Sequence, residues 1–239
     1  MSNLFYLVKG ELFRLVKYKT IFFGVLASLL WVAIISFQSI EEAKQIIPLL
    51  VITDSGMMSV ILMGANFYFE KQENTIQSLL VSPVSLTQVL IAKIIAAMSI
   101  ALISLVIVGG AAMIIHSVSF QIVKLLLAMV VVVTSHTAIG YIVIFRSKDF
   151  LTMLIKFAGI ILLFYVPAIL FLLNILTEEW ELLAFLSPSY AGEYLIRSAF
   201  AETKIGYQMI GFIYLTALGI GLYQFYVFQQ FRKVSIEGK

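Results

Sequence analysis

The chain has 239 residues, 62% of them hydrophobic and only 12% charged, with a mean hydropathy of +1.05; soluble domains carry about 25% charged residues, so this composition describes a bilayer-embedded protein and not a globule around a large core. The formal net charge of +3 is small and the basic residues are scattered, which excludes the concentrated basic face of a nucleic-acid-binding protein. The absence of cysteine removes disulfides, thiolate metal sites and thiol catalysis.

The first element covers residues 1–20. Leu4, Val8, Leu12, Leu15 and Val16 recur at helical spacing, with Lys9, Arg14 and Lys17 between them. Such a pattern predicts an interfacial helix whose apolar face sinks into the headgroup boundary while its basic residues meet anionic lipid. A plain extension of the first span is the other reading, but it would carry Lys17 and Lys19 into the bilayer. Charges are spread through this stretch, and no compact apolar core leads to a small-residue cleavage site, so no cleavable signal peptide is expected.

A hydrocarbon core of about 30 Å takes roughly 20 apolar residues of helix. Six stretches qualify, near 21–37, 48–69, 91–115, 122–145, 150–176 and 205–228. Open sheet edges do not survive in lipid, and no stretch alternates like a barrel wall. The expected fold class is therefore an all-α polytopic membrane protein, a single transmembrane domain over 1–239 with six transmembrane helices. Six spans place both termini on one side. With the N-terminus inside, the outer segments hold only Lys44, Lys124, Arg197 and Lys204 of the 16 Lys and Arg. The positive-inside rule then predicts a cell-membrane protein with both termini cytoplasmic.

Within the second span, Asp54 is the only acidic residue placed inside a predicted membrane segment. It lies about 9 Å along the helix from Pro48 at 1.5 Å per residue. Charge at bilayer depth is costly, which makes Asp54 a candidate for a transport pathway; a hydrogen bond to Thr53, Ser55 or a neighbouring helix is the structural alternative.

The stretch "FEKQENTIQSLLVSPVSLTQVLIAK", 69–93, interrupts the apolar chain on the predicted cytoplasmic side. Glu70, Glu73, Asn74 and Gln77 fall on one helical stripe, opposite Ile76, Leu79 and Leu80. This predicts an amphipathic surface helix of about three turns from Glu70 to Leu80. Pro83 stops it, Ser85 and Gln88 form a capping box for the next helix, and Lys93 is expected to snorkel back to the surface. A connection alone needs only about 2–8 residues.

Farther along, His136 lies inside the fourth predicted span in "VVVTSHTAIG" and is expected to make a helix–helix hydrogen bond more readily than to carry protons. Ser135 and His136 do not form a catalytic pair, because adjacent helical residues diverge. His116 and His136 sit on separate elements with no companion ligands, so no metal site is expected. Gly206, Gly211, Gly219 and Gly221 would allow close packing of the last span. In the outer segment 177–204, Thr177 followed by Glu178, Glu179 and Glu181 reads as a capped helix start. Ser187-Pro188 opens a second helix, with Pro at its first position. Two short extracellular helices dipping toward the membrane before the last span are expected.

Residues 70–93 resemble the signature segment of ABC-2 type transporter permeases. In that family an acidic residue, a basic residue and a Thr precede an apolar pair, a Ser/Thr-Pro turn and a Lys at the start of the third span; here these are Glu70, Lys71, Thr75, Leu79, Leu80, Ser82, Pro83 and Lys93. "FLSPSYAGEYLIRSAF", 185–200, is similar to the family's extracellular segment, with Pro188, Tyr190 and Arg197 in the usual places. The family often has Gly-Thr where this chain has Asn74-Thr75; Asn-Thr also occurs in smaller permeases linked to peptide-antibiotic resistance. "ITDSGMMSVILMGANFYFEKQ", containing Asp54, is similar to compact fluoroquinolone-export permeases.

The resemblance implies that 70–90 is a cytoplasmic coupling elbow. Glu70, Lys71, Glu73, Asn74, Thr75, Gln77, Ser82 and Pro83 would meet a separate ATP-binding cassette subunit. It further implies an exporter of a hydrophobic or amphipathic compound (drug, antibiotic or lipid-like), paired with a second permease copy or a homologous permease and surrounded by membrane lipid. The chain itself would hold no catalytic residue, no metal and no cofactor, with ATP and Mg on the partner ATPase. No G-x-x-x-x-G-K-[ST] occurs, so energy would come from that partner. Two other classes differ from this one in what they require of the sequence. An intramembrane enzyme needs a nucleophile–base pair or clustered acids, for which no motif appears. A non-transporting immunity or sensor subunit would use the same scaffold, and ATP-driven substrate movement separates it from an exporter.

Overall fold

Apolar segments with no water to satisfy their amides must bond their backbone internally, and every long apolar stretch of this chain is helical. The structure, a computed structural model, describes residues 2–78 and 83–237, and among these there is no strand. Helices α1 (Ser2–Lys17) and α2 (Thr20–Ser36) lead into α3 (Ile40–Ile52), a π-helical turn (Thr53–Met58) and α4 (Ser59–Gln72). A short α5 (Thr75–Ser78) precedes α6 (Leu86–His116), α7 (Ile122–Phe145) and α8 (Phe150–Leu172). A 3-10 turn (Glu178–Trp180), α9 (Glu181–Ala184) and α10 (Pro188–Phe200) follow. The chain closes with α11 (Ile205–Leu222), a second π-helical turn (Tyr223–Val227) and α12 (Phe228–Glu237).

Five helical stretches are long and apolar enough to cross a membrane: Ile40–Gln72, Leu86–His116, Ile122–Phe145, Phe150–Leu172 and Ile205–Ile236. A sixth arises if α1 and α2, bent by 65° against each other, count as one. These helices mark the chain as a membrane protein. Lys19 makes the bend, with a left-handed φ of 58°. The second stretch starts earlier than expected, at Ile40. Ser39 and Glu42 form a capping box there, the Ser39 Oγ accepting from the Glu42 amide at 3.3 Å and the Glu42 carboxylate accepting from the Ser39 amide at 2.9 Å. Glu41 and Glu42 therefore lie in a helical first turn, at its positive end.

Helix α7 is the hub, packed against α4, α6, α10 and α11, while α6 also carries α1, α2 and α3. Lipid tails are as apolar as the side chains, so packing rests on close approach at small residues. Gly219 of α11 shows this: a Cβ there would come within 3.3 Å of the Ser135 backbone of α7. Gly211 is similarly close to Phe185 and the Ala191 carbonyl, whereas Gly206 and Gly221 face open space and bring nothing closer. Helices α8 and α11 turn large apolar side chains outward, among them Leu151, Ile155, Leu162, Ile213 and Ile220.

Candidate functional site

The predicted elbow differs from its expected form. Helix α4 carries the second span through to Gln72, and the chain breaks at Glu73 and Asn74 before the single turn of α5. Asn74 adopts φ 56°, a left-handed conformation that ends a helix and that Asn tolerates well. A continuous amphipathic helix from Glu70 is therefore not formed. Its expected apolar residues Leu79 and Leu80, and Ser82, lie outside the described residues, as does the side chain of Gln77.

Because α4 runs on past Phe69, Glu70 keeps the register of the buried face and turns inward. It is 1% exposed. Lys93, expected to reach back to the surface, is 2% exposed and donates to both Glu70 oxygens at 2.6 and 2.7 Å. Two residues of α1 complete the group: Glu11 lies 3.0 Å from the Lys93 Nζ, and Arg14 bridges Glu11 at 2.6 Å and Glu70 at 3.3 Å. Two acids and two bases thus close a buried, charge-balanced cluster joining α1, α4 and α6. A charge this deep is retained only with such partners. Nothing in the local pattern of 69–93 pointed to Glu11 and Arg14; the one hint was an acid on an otherwise basic helix, three residues before an Arg.

Outside this cluster, Glu73 remains exposed and accepts from Lys17 Nζ at 2.8 and 2.9 Å and from Tyr18 Oη at 2.6 Å. Those hydrogen bonds hold its carboxyl below the usual range. Burial, with the Glu73 hydrogen bond adding to it, pushes the Tyr18 hydroxyl up to about 12. Thr75 turns its hydroxyl back onto the Glu70 carbonyl at 3.0 Å, and Lys71 is half-buried. Pro83 is exposed, and its carbonyl accepts from the Asn3 side chain at 3.1 Å. Ser85 and Gln88 bond reciprocally at 3.3 and 3.1 Å, opening α6 as the spacing implied. Of the predicted coupling residues, Gln72's neighbours Glu73 and Asn74 form an exposed tip, with Glu70 behind it as an internal strut.

At mid-chain, Asp54 sits in the π-helical turn at 2% exposure. Its partners are on other helices. Ser28 of α2 donates at 2.5 Å and Ser104 of α6 also donates, both to the same carboxylate oxygen. Thr53 and Ser55 are engaged elsewhere, on the Leu49 and Val51 carbonyls; such back-bonding competes with the helical ladder. His136 is 2% exposed, with Nδ1 2.9 Å from the Val132 carbonyl and Nε2 3.3 Å from Ser189 Oγ, which ties α7 to α10. Its ring packs against Gly56 of the π turn, where a Cβ would approach to 3.4 Å.

Toward the other end, Ser187 caps α10 by accepting from the Tyr190 amide at 3.3 Å, with Pro188 at the first turn. Thr177 precedes its 3-10 turn but makes no side-chain cap. Helix α10 is buried between α3, α7, α8 and α11, deeper than a helix lying on the outer surface. Tyr190 is fully enclosed, its ring 5.0 Å from Phe171 and 5.4 Å from Phe185. Arg197 pairs with Glu193 at 3.4 Å and lies over the Tyr194 ring at 4.9 Å. Both Arg197 and Lys204 line a cavity of about 810 Å³ with Asn174, Glu178 and Glu181. The Lys204 hydrogen bond, with its charge, holds Glu178 below the usual carboxylate range. Among the described residues, no group of three or more His, Asp or Glu is placed to hold a metal ion. No protein-family model matches this sequence, and no curated protein matches it.

Proposed function

We propose that this chain is the membrane-spanning permease subunit of an ABC exporter. In this reading it has six spans, with α1 at the interface and both termini cytoplasmic. Two permeases work with two ATP-binding cassette subunits that hold ATP and Mg. They move a hydrophobic or amphipathic drug, antibiotic or lipid-like compound outward. The resemblance of 70–93 and 185–200 to ABC-2 type permeases motivates the reading.

One observation carries it: the exposed tip at 72–74 is bonded to helices that belong to different parts of the chain. Glu73 holds α1 through Lys17, and Glu70, one turn behind, holds α6 through Lys93 and α1 through Glu11 and Arg14. A push on the tip would move α1, α4 and α6 together, which is what transmission from an external motor requires.

Glu73→Lys is expected to cut co-purification with the proposed cassette subunit by about tenfold, equivalent to ~1.4 kcal/mol of interface free energy, at unchanged membrane levels of the permease. The exposed Glu73–Lys17 pair contributes little to folding, so the effect reports docking. Equal recovery of the cassette subunit with wild type and variant would remove the assignment. For topology, a reporter fused to the C-terminus is expected to read cytoplasmic, and an external signal would reverse the orientation.

A further inference from the structure

The cavity between the end of α8, α9, α10 and the start of α11 has no part in coupling to an external motor. At about 810 Å³ it falls among small-molecule sites, which run from about 300 to 1,000 Å³. Its rim is wet: the Glu178 and Lys204 side chains are 82% and 56% exposed and pair at 2.6 Å. Its inner wall is not, because Tyr194 is 3% exposed and Glu181 9%. Phe171 of α8 adds a second aromatic ring. The walls are braced before any ligand arrives. The Tyr194 hydroxyl accepts from the Lys204 amide at 3.2 Å, and the Tyr190 hydroxyl donates a long bond of 3.5 Å to Glu181 Oε1.

Charge decides what such a cavity would take. Three carboxyls line it, Glu178, Glu181 and Glu202, against two bases, Arg197 and Lys204. Both bases are already engaged, Arg197 by Glu193 at 3.4 Å and Lys204 by Glu178 at 2.6 Å. Glu202 has no ion pair among the described residues. Glu181 Oε2 accepts no hydrogen bond among the described residues, and the one base near it, Lys204 Nζ, stands 3.8 Å away. A carboxylate so enclosed and so loosely matched favours a cation and disfavours an anion. A metal ion fits poorly, since Ca²⁺ takes about six to eight oxygens and no group of three or more acids is placed to hold one among the described residues. An ammonium group needs one carboxylate, and an apolar body attached to it would use the aromatic wall.

We propose that this cavity binds an amphipathic organic cation, with its ammonium on Glu181 Oε2 and its apolar body against Phe171 and Tyr194. Lys204 competes for the same carboxylate from the rim. Binding follows from the walls of the cavity alone; that the bound cation is also the exported compound rests on the proposed function.

Fluorescence titration of the full chain in phosphatidylcholine nanodiscs, with empty discs subtracted, tests this without any partner subunit. The probe is dansylcadaverine, a primary ammonium with an aromatic body. Its N-acetylated form is the neutral control, and a dansyl-labelled aliphatic carboxylate is the anionic one. The ammonium form is expected to bind and both controls to bind at least about tenfold more weakly, as a charge-assisted hydrogen bond implies. Glu181→Gln should weaken the ammonium probe by a similar factor, and Lys204→Gln, which removes the competing base, should tighten it. If Glu181→Gln does not fold, the exposed Lys204→Gln variant and the ranking of the three probes decide. No binding of the ammonium probe above empty discs, equal binding by wild type and Glu181→Gln, or weaker binding by Lys204→Gln would each overturn the proposal. Preference for the carboxylate probe would overturn it in favour of an anion site. None of these outcomes bears on docking of a cassette subunit, which Glu73→Lys tests separately.

Discussion

Lys93→Met is expected to lower the stability of the protein by about 3–5 kcal/mol, the usual consequence of removing one member of a buried ion pair. The substitution leaves Glu11 and Glu70, each 1% exposed, with Arg14 as their only remaining cation in the cluster. Methionine fills the space of the lysine stem, so the loss reports charge and not a cavity. Thermal unfolding in detergent, with exposed Lys9→Met as the control, measures it. The double variant Lys93→Met/Glu70→Gln is expected to recover part of the loss, because the Glu11–Arg14 pair at 2.6 Å then stands alone and balanced. A drop below ~1 kcal/mol for the single variant would mean that water reaches the cluster.

Gly140→Ala is expected to destabilise by about 1–3 kcal/mol, although alanine favours a helix over glycine by ~1 kcal/mol. The added methyl would land on the Cγ1 of Val60 in α4 and lie only 3.2 Å from the Val60 Cβ. A valine on a helix holds essentially one rotamer, so it cannot swing aside. Gly64→Ala meets the thioether end of Met153, which can turn away, and should cost much less. Gly110→Ala meets nothing within 4 Å and should stabilise slightly. Melting temperatures in one detergent give the order; Gly140→Ala melting with Gly110→Ala would show that α4 and α7 are not in close contact.

How much of the site was legible varies by residue. Ser85 and Gln88, and Ser187 with Pro188, announce their helix starts because a cap is formed within four residues of sequence. Ser39 and Glu42 carry the same signal, but it was hidden behind the apolar run that begins later. The polar stripe of Glu70, Glu73, Asn74 and Gln77 was read as one solvated face, and Asn74 in a left-handed conformation cuts it in two. Asp54 was visible as an anomaly, while Ser28 and Ser104, its actual partners, look like ordinary small residues in apolar spans.

The sequence by itself determined that the chain lives in a bilayer, which stretches are helical and where several helices begin, because hydropathy and capping act over a few consecutive residues. Only the tertiary structure decided that Glu70 and Lys93 are interior, that α1 supplies Glu11 and Arg14 to them, and that Asp54 is held by α2 and α6. Those facts depend on how each helix is rotated about its own axis and which neighbour it meets. That choice is made by contacts between residues tens of positions apart, through the small side chains that let the helices approach.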